Sequence, residues 1–363
     1  MRQKIVWFIL LIFFLLGRTE NSFGKNSPGS SSVKKIEDIV IYKEEKFYSA
    51  FPSIVRRPDG ELLVAFRRAP NRRVWGEKDY THTDPNSYLM LVRSKDSGKT
   101  WSQTPELIFA HPFGGSQDPG LIQLRNGSIL CSSYGWALLP TEAIAKMTNI
   151  FHHQNFGFLG GFIVRSQDGG HSWGEAIIPP ASRGEINLDP FGKPLPAYNR
   201  GAMCEGKDGR VFWAVASTIS KNGKNQTHLM ISPDHGTTWN YSCPIARDEK
   251  ITFNETSLYE TPLGDLVAFM RTEDFDDHTV IARSKNGGKS FEPWRDAGFQ
   301  GHPHFALRLP DDRVLLVYGY RHAPFGIRAR VLNSECTSIG SSPEIILRND
   351  GGNGDLGYPW ATL

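Results

Sequence analysis

Ser94-Lys95-Asp96-Ser97-Gly98-Lys99-Thr100-Trp101 follows the pattern Ser-x-Asp-x-Gly-x-Thr-aromatic, and the pattern returns along the chain. It recurs as Ser166-Gln167-Asp168-Gly169-Gly170-His171-Ser172-Trp173 and as Ser232-Pro233-Asp234-His235-Gly236-Thr237-Thr238-Trp239. A looser copy, Ser284-Lys285-Asn286-Gly287-Gly288-Lys289-Ser290-Phe291, follows. An apolar, β-rich run precedes each copy, at residues 88–92, 161–164, 227–231 and 279–282. Asp hydrogen-bonds its own backbone and Gly accepts positive φ, so each copy reads as a tight turn closed by a large apolar anchor. One hairpin turn repeated in this way predicts a repeated β unit.

A second repeated signal interleaves with the first. Asp59-Gly60 precedes an apolar run at 62–66, Asn126-Gly127 one at 129–132, and Asp208-Gly209 one at 211–215. Leu263-Gly264 and Asp311-Asp312 are less regular versions. Asp-Gly and Asn-Gly between β-rich runs are strong hairpin signals. Together the two signals spell a four-stranded blade: strand, Asp-Gly turn, strand, long loop, strand, boxed turn, strand. The blades fall at about residues 48–108, 117–178, 198–246, 252–294 and 302–348, the last with its box reduced to residues 332–338. A sixth begins at Gly357-Tyr358-Pro359-Trp360-Ala361-Thr362-Leu363.

Composition agrees. Aromatics at 12%, with 36 Gly and 23 Pro, favour an all-β chain. Arg2 and Lys4, then an apolar stretch at 5–16 and small or polar residues to Gly24, read as a signal peptide over residues 1–24. That predicts a secreted, periplasmic or extracellular protein, with an uncleaved membrane anchor as the alternative; the apolar stretch is short for a span. Residues 25–36 read as a flexible leader and 37–363 as one propeller domain. Loss of Arg2, Lys4, Arg18 and Glu20 takes the net charge from +3 to +1, which is no nucleic-acid signature. Cys131, Cys204, Cys243 and Cys336 are scattered without metal spacing and read as buried thiols or disulfides. No His-Glu-x-x-His pattern appears, and neither metal nor other cofactor is expected.

The boxed turn resembles the Asp box of the sialidase (neuraminidase) superfamily. That resemblance implies a six-bladed β-propeller, here with an incomplete sixth blade, which residues 36–42 would help to close. It also implies that Asp96, Asp168 and Asp234 are structural, on the face away from the site. Short turns then occupy one face and long polar loops the other, so candidate site residues belong to the second. From that face come Arg67, Arg68, His82, Asp84, Asp118, Arg200, Glu255, Arg271, His304, Arg321, Arg328 and Tyr358. Arginines converging from separate blades make an anion clamp, because each guanidinium can grip a carboxylate with two hydrogen bonds.

Within the resemblance, Asn254-Glu255-Thr256 with Phe269-Met270-Arg271 is similar to the segment carrying the catalytic Glu and a carboxylate-binding Arg. Gly357-Tyr358 is similar to the segment of the nucleophilic Tyr. A neutral phenol activated by a base avoids the repulsion that a carboxylate nucleophile would feel from an anionic sugar. Either Arg321 or Arg328 stands where another clamp arginine is expected. The family's first arginine has Ala50 at its position in Ser49-Ala50-Phe51-Pro52, with Arg67 or Arg68 as substitutes. Asp84, Asp79 and His82 compete for the acid/base role. The resemblance implies an exo-glycosidase for sialic acid or a related acidic sugar, acting on a glycoconjugate or polysaccharide. The alternatives are a uronate-directed polysaccharide lyase, with Arg neutralising the carboxylate and His and Tyr moving protons, and a non-catalytic or decayed glycan-binding propeller.

Overall fold

A computed structural model describes residues 33–78, 83–220 and 223–363. The predicted signal peptide and most of the leader lie outside the described residues, as do Asp79 and His82. The described residues form five antiparallel sheets arranged as the blades of a propeller. Blade 1 is built from Phe47–Arg56, Leu62–Pro70, Tyr88–Ser94 and Glu106–Phe109. Blade 2 has a broken inner strand, Gly115–Ser116 and Gly120–Gln123, against Ile129–Leu138, Phe156–Ser166 and the short His152–His153. Blade 3 runs through Cys204–Glu205, Val211–Thr218, Asn225–Ser232 and Asn240–Ala246. Blade 4 comprises Thr252–Glu260, Leu266–Glu273, His278–Ser284 and Arg295–Gln300, and blade 5 comprises His304–Arg308, Val314–Tyr320, Gly326–Leu332 and Glu344–Arg348. Blades 1, 3, 4 and 5 follow the sequence reading within six residues; in blade 2 the strand expected after the boxed turn is reduced to a bridge between Ile163 and Ile177, and His152–His153 takes the outer place.

Among the described residues the predicted sixth blade does not form: the propeller has five blades there, and the six-bladed expectation is corrected. Residues 36–42 form no strand, and neither do residues 355–363. Both segments instead lie unpaired against the blades on either side. Ile41, Tyr42 and Trp360 pack with Ile54, Leu62, Val64 and Phe66 of blade 1. Val33 and Ala361 pack with Leu315, Val317 and Leu347 of blade 5. A blade needs strands that hydrogen-bond to one another, and these two stretches use their apolar side chains to cover exposed blade faces instead. Polar ties hold them in place: Lys35 Nζ donates to Leu347 O at 3.2 Å, and Arg56 donates to Leu363 O at 3.2 Å. A cleft lined by Ile39, Tyr42, Ala50, Val64 and Phe66 remains beneath the first segment.

The boxes act as turn scaffolds. Asp96 Oδ1 accepts from the Thr100 amide at 2.9 Å and Oδ2 from the Thr100 hydroxyl at 2.6 Å, while Trp101 Nε1 donates to Gly98 O. Asp168 and Asp234 repeat the arrangement with Ser172 and Thr238. In blade 5, Asn333 and Thr337 rebuild it without an Asp. All four cysteines are free thiols.

Candidate active site

In blades 1 to 4 the inner strand is interrupted or shifts register. In blades 1 and 4 the register shifts between Ala50 and Ser53 and between Asn254 and Ser257, leaving Phe51 and Glu255 at φ of 56° and 39°. Blade 2 breaks at Gln117-Asp118-Pro119, and in blade 5 Gly301-His302-Pro303 leads directly into the inner strand. Blade 3 breaks at Asn199-Arg200-Gly201, where a Cβ on Gly201 would lie 1.8 Å from Thr256 O. The closing segment contributes Gly357-Tyr358-Pro359, with Tyr358 at φ 65°. At Phe51-Pro52 the proline supplies no ladder N–H and the positive φ before it bends the strand, so the ladder opens there.

Tyr358 sits where these breaks meet. Its hydroxyl donates to Glu255 Oε1 at 2.8 Å, and Arg271 Nη1 donates to Glu255 Oε2 at 2.7 Å. The Arg200 guanidinium lies 4.2 Å from the centre of the Tyr358 ring and the Arg321 guanidinium 5.4 Å. Phe51 meets the ring edge-on at 4.8 Å. Burial alone would raise the Glu255 carboxyl, but the charges of Arg271 and Arg321 and the hydrogen bonds from Arg271 and Tyr358 outweigh it and hold it at about 2. Burial and the Glu255 charge push the Tyr358 phenol well up, against Arg321 and Arg271. The pair is therefore a neutral phenol donating to an ionised carboxylate. The Nε–H groups of Arg200, Arg271 and Arg321 are buried and donate to no protein acceptor.

A second phenol and carboxylate stand nearby. Tyr134 Oη donates to Asp118 Oδ2 at 2.9 Å, and Tyr134 also feels the charges of Tyr358 and Glu255. Arg67 is fully buried and is drawn electrostatically toward Asp118. It lies directly across the strand pair from Ala50, and paired residues share a face, so its guanidinium enters the side that Ala50 leaves open. Arg68 points the opposite way, gripping Glu44 with two hydrogen bonds of 2.7 Å and covering the Phe47 ring.

The other expected residues sort as follows. Arg328 is buried within blade 5, donating to Pro324 O and Arg348 O, so Arg321 is the arginine that reaches Tyr358. Asp84 is buried and holds Arg72 through both oxygens, at 2.7 and 3.1 Å, while its Oδ1 also accepts from the Asn86 amide. Its carboxylate anchors the loop after the second strand of blade 1. His304 is buried between blades 4 and 5, with Nε2 2.8 Å from Thr279 Oγ1, and burial lowers its imidazole to about 3. Sequence reasoning missed Tyr134, which reads only as one more strand aromatic; its place within the strand that follows Asn126-Gly127 gives no hint of the Asp118 contact. Also unforeseen is a chain from His302 Nε2 to Asp277 Oδ1 at 3.0 Å and from Asp277 Oδ2 to His322 Nε2 at 3.2 Å. Arg271 and Arg321 bear on His302 electrostatically.

An Asp-box propeller with a Tyr-Glu pair among arginines is what this geometry defines. Residues 149–362 match the model of the BNR repeat-like domain, and the chain belongs to that family. It is 23% identical over 321 residues to a sialidase of Micromonospora viridifaciens, covering 84% of this chain and 44% of that protein, so it spans less than half the length of that relative. A solved structure of a protein of unknown function from Dyadobacter fermentans is 57% identical, covers 91% of both chains and superposes with a TM-score of 0.88. The NanB sialidase of Streptococcus pneumoniae superposes with a TM-score of 0.58 at 14% identity, covering 86% of this chain and 64% of that one, a likeness of fold. These matches place the chain in the sialidase-like superfamily.

Proposed function

We propose that this chain is a retaining exo-glycosidase for an acidic sugar, sialic acid or a close relative, borne on a glycoconjugate or polysaccharide outside the cell. The sialidase-like BNR propeller supports a glycosidase-like or glycan-binding function. The observation that carries the finer reading is the 2.8 Å hydrogen bond from Tyr358 to Glu255 with Arg271 and Arg321 beside it. In this reading the substrate carboxylate takes up guanidinium donors of Arg271, Arg321 and Arg67. Tyr358 Oη attacks the anomeric carbon and passes its proton to Glu255, while the glycosidic C–O bond breaks and the leaving oxygen takes a proton from solvent water. A water molecule then attacks the same carbon and loses a proton to solvent, the Tyr358 oxygen leaves, and Glu255 returns its proton to it.

At rest the phenol is far too weak an acid, and Glu255 far too weak a base, for that transfer. Two changes on substrate binding close the gap. The substrate carboxylate offsets the arginine charges that hold Glu255 down, and positive charge growing at the anomeric carbon acidifies the phenol. Hydrolysis of a fluorogenic sialoside tests the reading. Turnover in the wild-type chain that is abolished in Glu255→Gln and Tyr358→Phe supports it; turnover that survives both removes it.

The chain of His302, Asp277 and His322 beside Arg271 and Arg321 favours a second reading, β-elimination from a uronate, with Arg neutralising the carboxylate and His moving protons. A rise in ultraviolet absorbance from unsaturated uronate, lost in His302→Ala but kept in Glu255→Gln, would select it.

A further inference from the structure

Among the described residues, the exposed aromatic side chains are Trp75, Phe113, Phe151 and Phe191, at 50%, 61%, 37% and 58%. Every one lies on the face that carries Tyr358, and they occupy four consecutive connections there. Trp75 ends the 3-10 turn Arg72–Trp75 between the second and third strands of blade 1. Phe113 lies on the passage from blade 1 to blade 2, Phe151 in the long loop of blade 2, and Phe191 on the passage to blade 3. The loops on the other half of this face are charged instead, with Arg247, Asp248, Glu249 and Lys250 before blade 4 and Asp274, Asp276 and Asp277 in it. Stray surface aromatics would not sort by face and by half.

The rings connect to one another and to the site. Phe113 and Phe191 meet with centres 5.1 Å apart. Ile150 bridges Leu188, bringing the Phe151 and Phe191 loops together. Phe151 packs on Phe158 at 5.5 Å, Phe158 on Tyr134 at 5.6 Å, and Tyr134 donates to Asp118 at the centre. An aromatic path thus runs from the rim to the pocket floor. Polar groups border each ring: Arg72 and Arg73 beside Trp75, His111 beside Phe113, His152 and His153 after Phe151, and Asp189 before Phe191. Val74, Leu138 and Ile186 are also exposed on or beside these loops, so it is the polar groups between the rings, rather than a lack of other apolar surface, that distinguish this face from a lipid-binding or dimer surface. Flat rings edged by hydrogen-bonding groups match a pyranose, with its C–H face and its rim of hydroxyls.

We infer that Phe113 and Phe191, with Trp75 and Phe151 beside them, form a subsite for neutral hexose residues on the leaving-group side of the acidic sugar. The inference rests on the glycosidase reading for its orientation: the anionic ring lies beside Tyr358 among Arg67, Arg271 and Arg321, and the neutral chain runs outward over the aromatic loops around blades 1 and 2.

The test has a binding arm and a kinetic arm, both on the full chain. Lactose, cellobiose and N-acetyllactosamine are titrated by saturation-transfer NMR against wild type, Glu255→Gln and the double variant Phe113→Ala/Phe191→Ala. Both replaced rings are exposed, and a thermal melt confirms that the fold persists. Binding of at least one disaccharide that survives Glu255→Gln and weakens about tenfold in the ring variant supports the subsite. In the kinetic arm, the ring variant loses about tenfold in kcat/KM on sialyllactose while a fluorogenic sialoside changes by less than about twofold. No binding of any disaccharide, or an equal effect on both substrates, overturns the subsite, as does a ring-dependent affinity for neutral phospholipid vesicles or ring-dependent dimerisation. If wild type hydrolyses nothing but loses disaccharide binding in the ring variant, the glycosidase reading fails and the subsite stands. If sialosides are hydrolysed and the ring variant changes nothing, the reverse holds.

Discussion

Tyr358 and Glu255 lie 103 positions apart in the chain and meet through a 2.8 Å hydrogen bond, each on backbone with positive φ. For bulky or branched side chains that conformation costs on the order of 1–3 kcal/mol per residue and persists where the surroundings enforce it. Phe51 shares it, so three strained residues surround one point. Two of them are the proposed nucleophile and its base.

Those two should act as a unit. Glu255→Gln and Tyr358→Phe are each expected to lower kcat for a fluorogenic sialoside by about 10²–10⁴, and the double variant should be little worse than the poorer single one. Additive losses in a double-mutant cycle would show that the residues work separately.

Arg67 and Arg68 should differ sharply. Arg67→Ala leaves Asp118 buried without the cation facing it, an effect of about 3–5 kcal/mol, and should abolish activity. Arg68→Ala removes a partly exposed pair with Glu44 and should cost about 0–1 kcal/mol. Urea denaturation of both variants measures this directly.

Acid should unfold the protein over a defined window. Glu255 has an ordinary value of 4.5 and is held at about 2, and Asp96 moves from 3.8 to about 2 through its hydrogen bonds to Thr100. Folding lowers both groups, so their stabilisation is complete above about pH 5 and lost as pH falls toward 2. Melting temperatures across pH 2–6 should fall through that interval, and less steeply in Asp96→Asn.

Gly319 of blade 5 seats the closing segment. A Cβ there would lie 2.8 Å from Gly357 Cα and 2.7 Å from His302 O. Gly319→Ala should displace Tyr358 and remove activity while far-ultraviolet circular dichroism stays that of a β protein. Full activity in this variant would mean that Tyr358 does not depend on the seat.

Asp84 should behave as an anchor. Asp84→Asn breaks its two-pronged hold on Arg72, so the loss of activity should be alike for sugars with good and poor leaving groups, with a lowered melting temperature. A loss confined to poor leaving groups would make Asp84 the proton donor.

Much of this was legible in the chain, because turn chemistry is local. Asp-Gly turns and boxed turns need particular residues at fixed offsets, so the order of the five blades could be read, with most bounds within six residues. Glu255 and Tyr358 were legible through their motifs. Strand alternation shows that Arg67 and Arg68 face opposite ways but cannot tell which faces inward; the register with Ala50 decides it. Arg321 and Arg328 were inseparable for a similar reason, since the difference is a contact with backbone carbonyls of blade 5. The sixth blade is the exception: apolar residues at 36–42 and 357–363 announce burial, but burial of side chains does not require strand pairing. A further local signal is the X-Pro step: Phe51-Pro52 and Asp118-Pro119 stand at two of the inner-strand breaks.

The unpaired closing segment gives the molecule an order of events. A chain emerging from the ribosome makes Glu255, Arg271 and Arg321 before Tyr358, and Tyr358 finds its place only against blades 1 and 5 already standing side by side. A partly folded ring would hold the charges without the phenol. In this protein catalytic competence would report that the ring has closed, and any ligand gripping both the arginines and Tyr358 would act as its clasp.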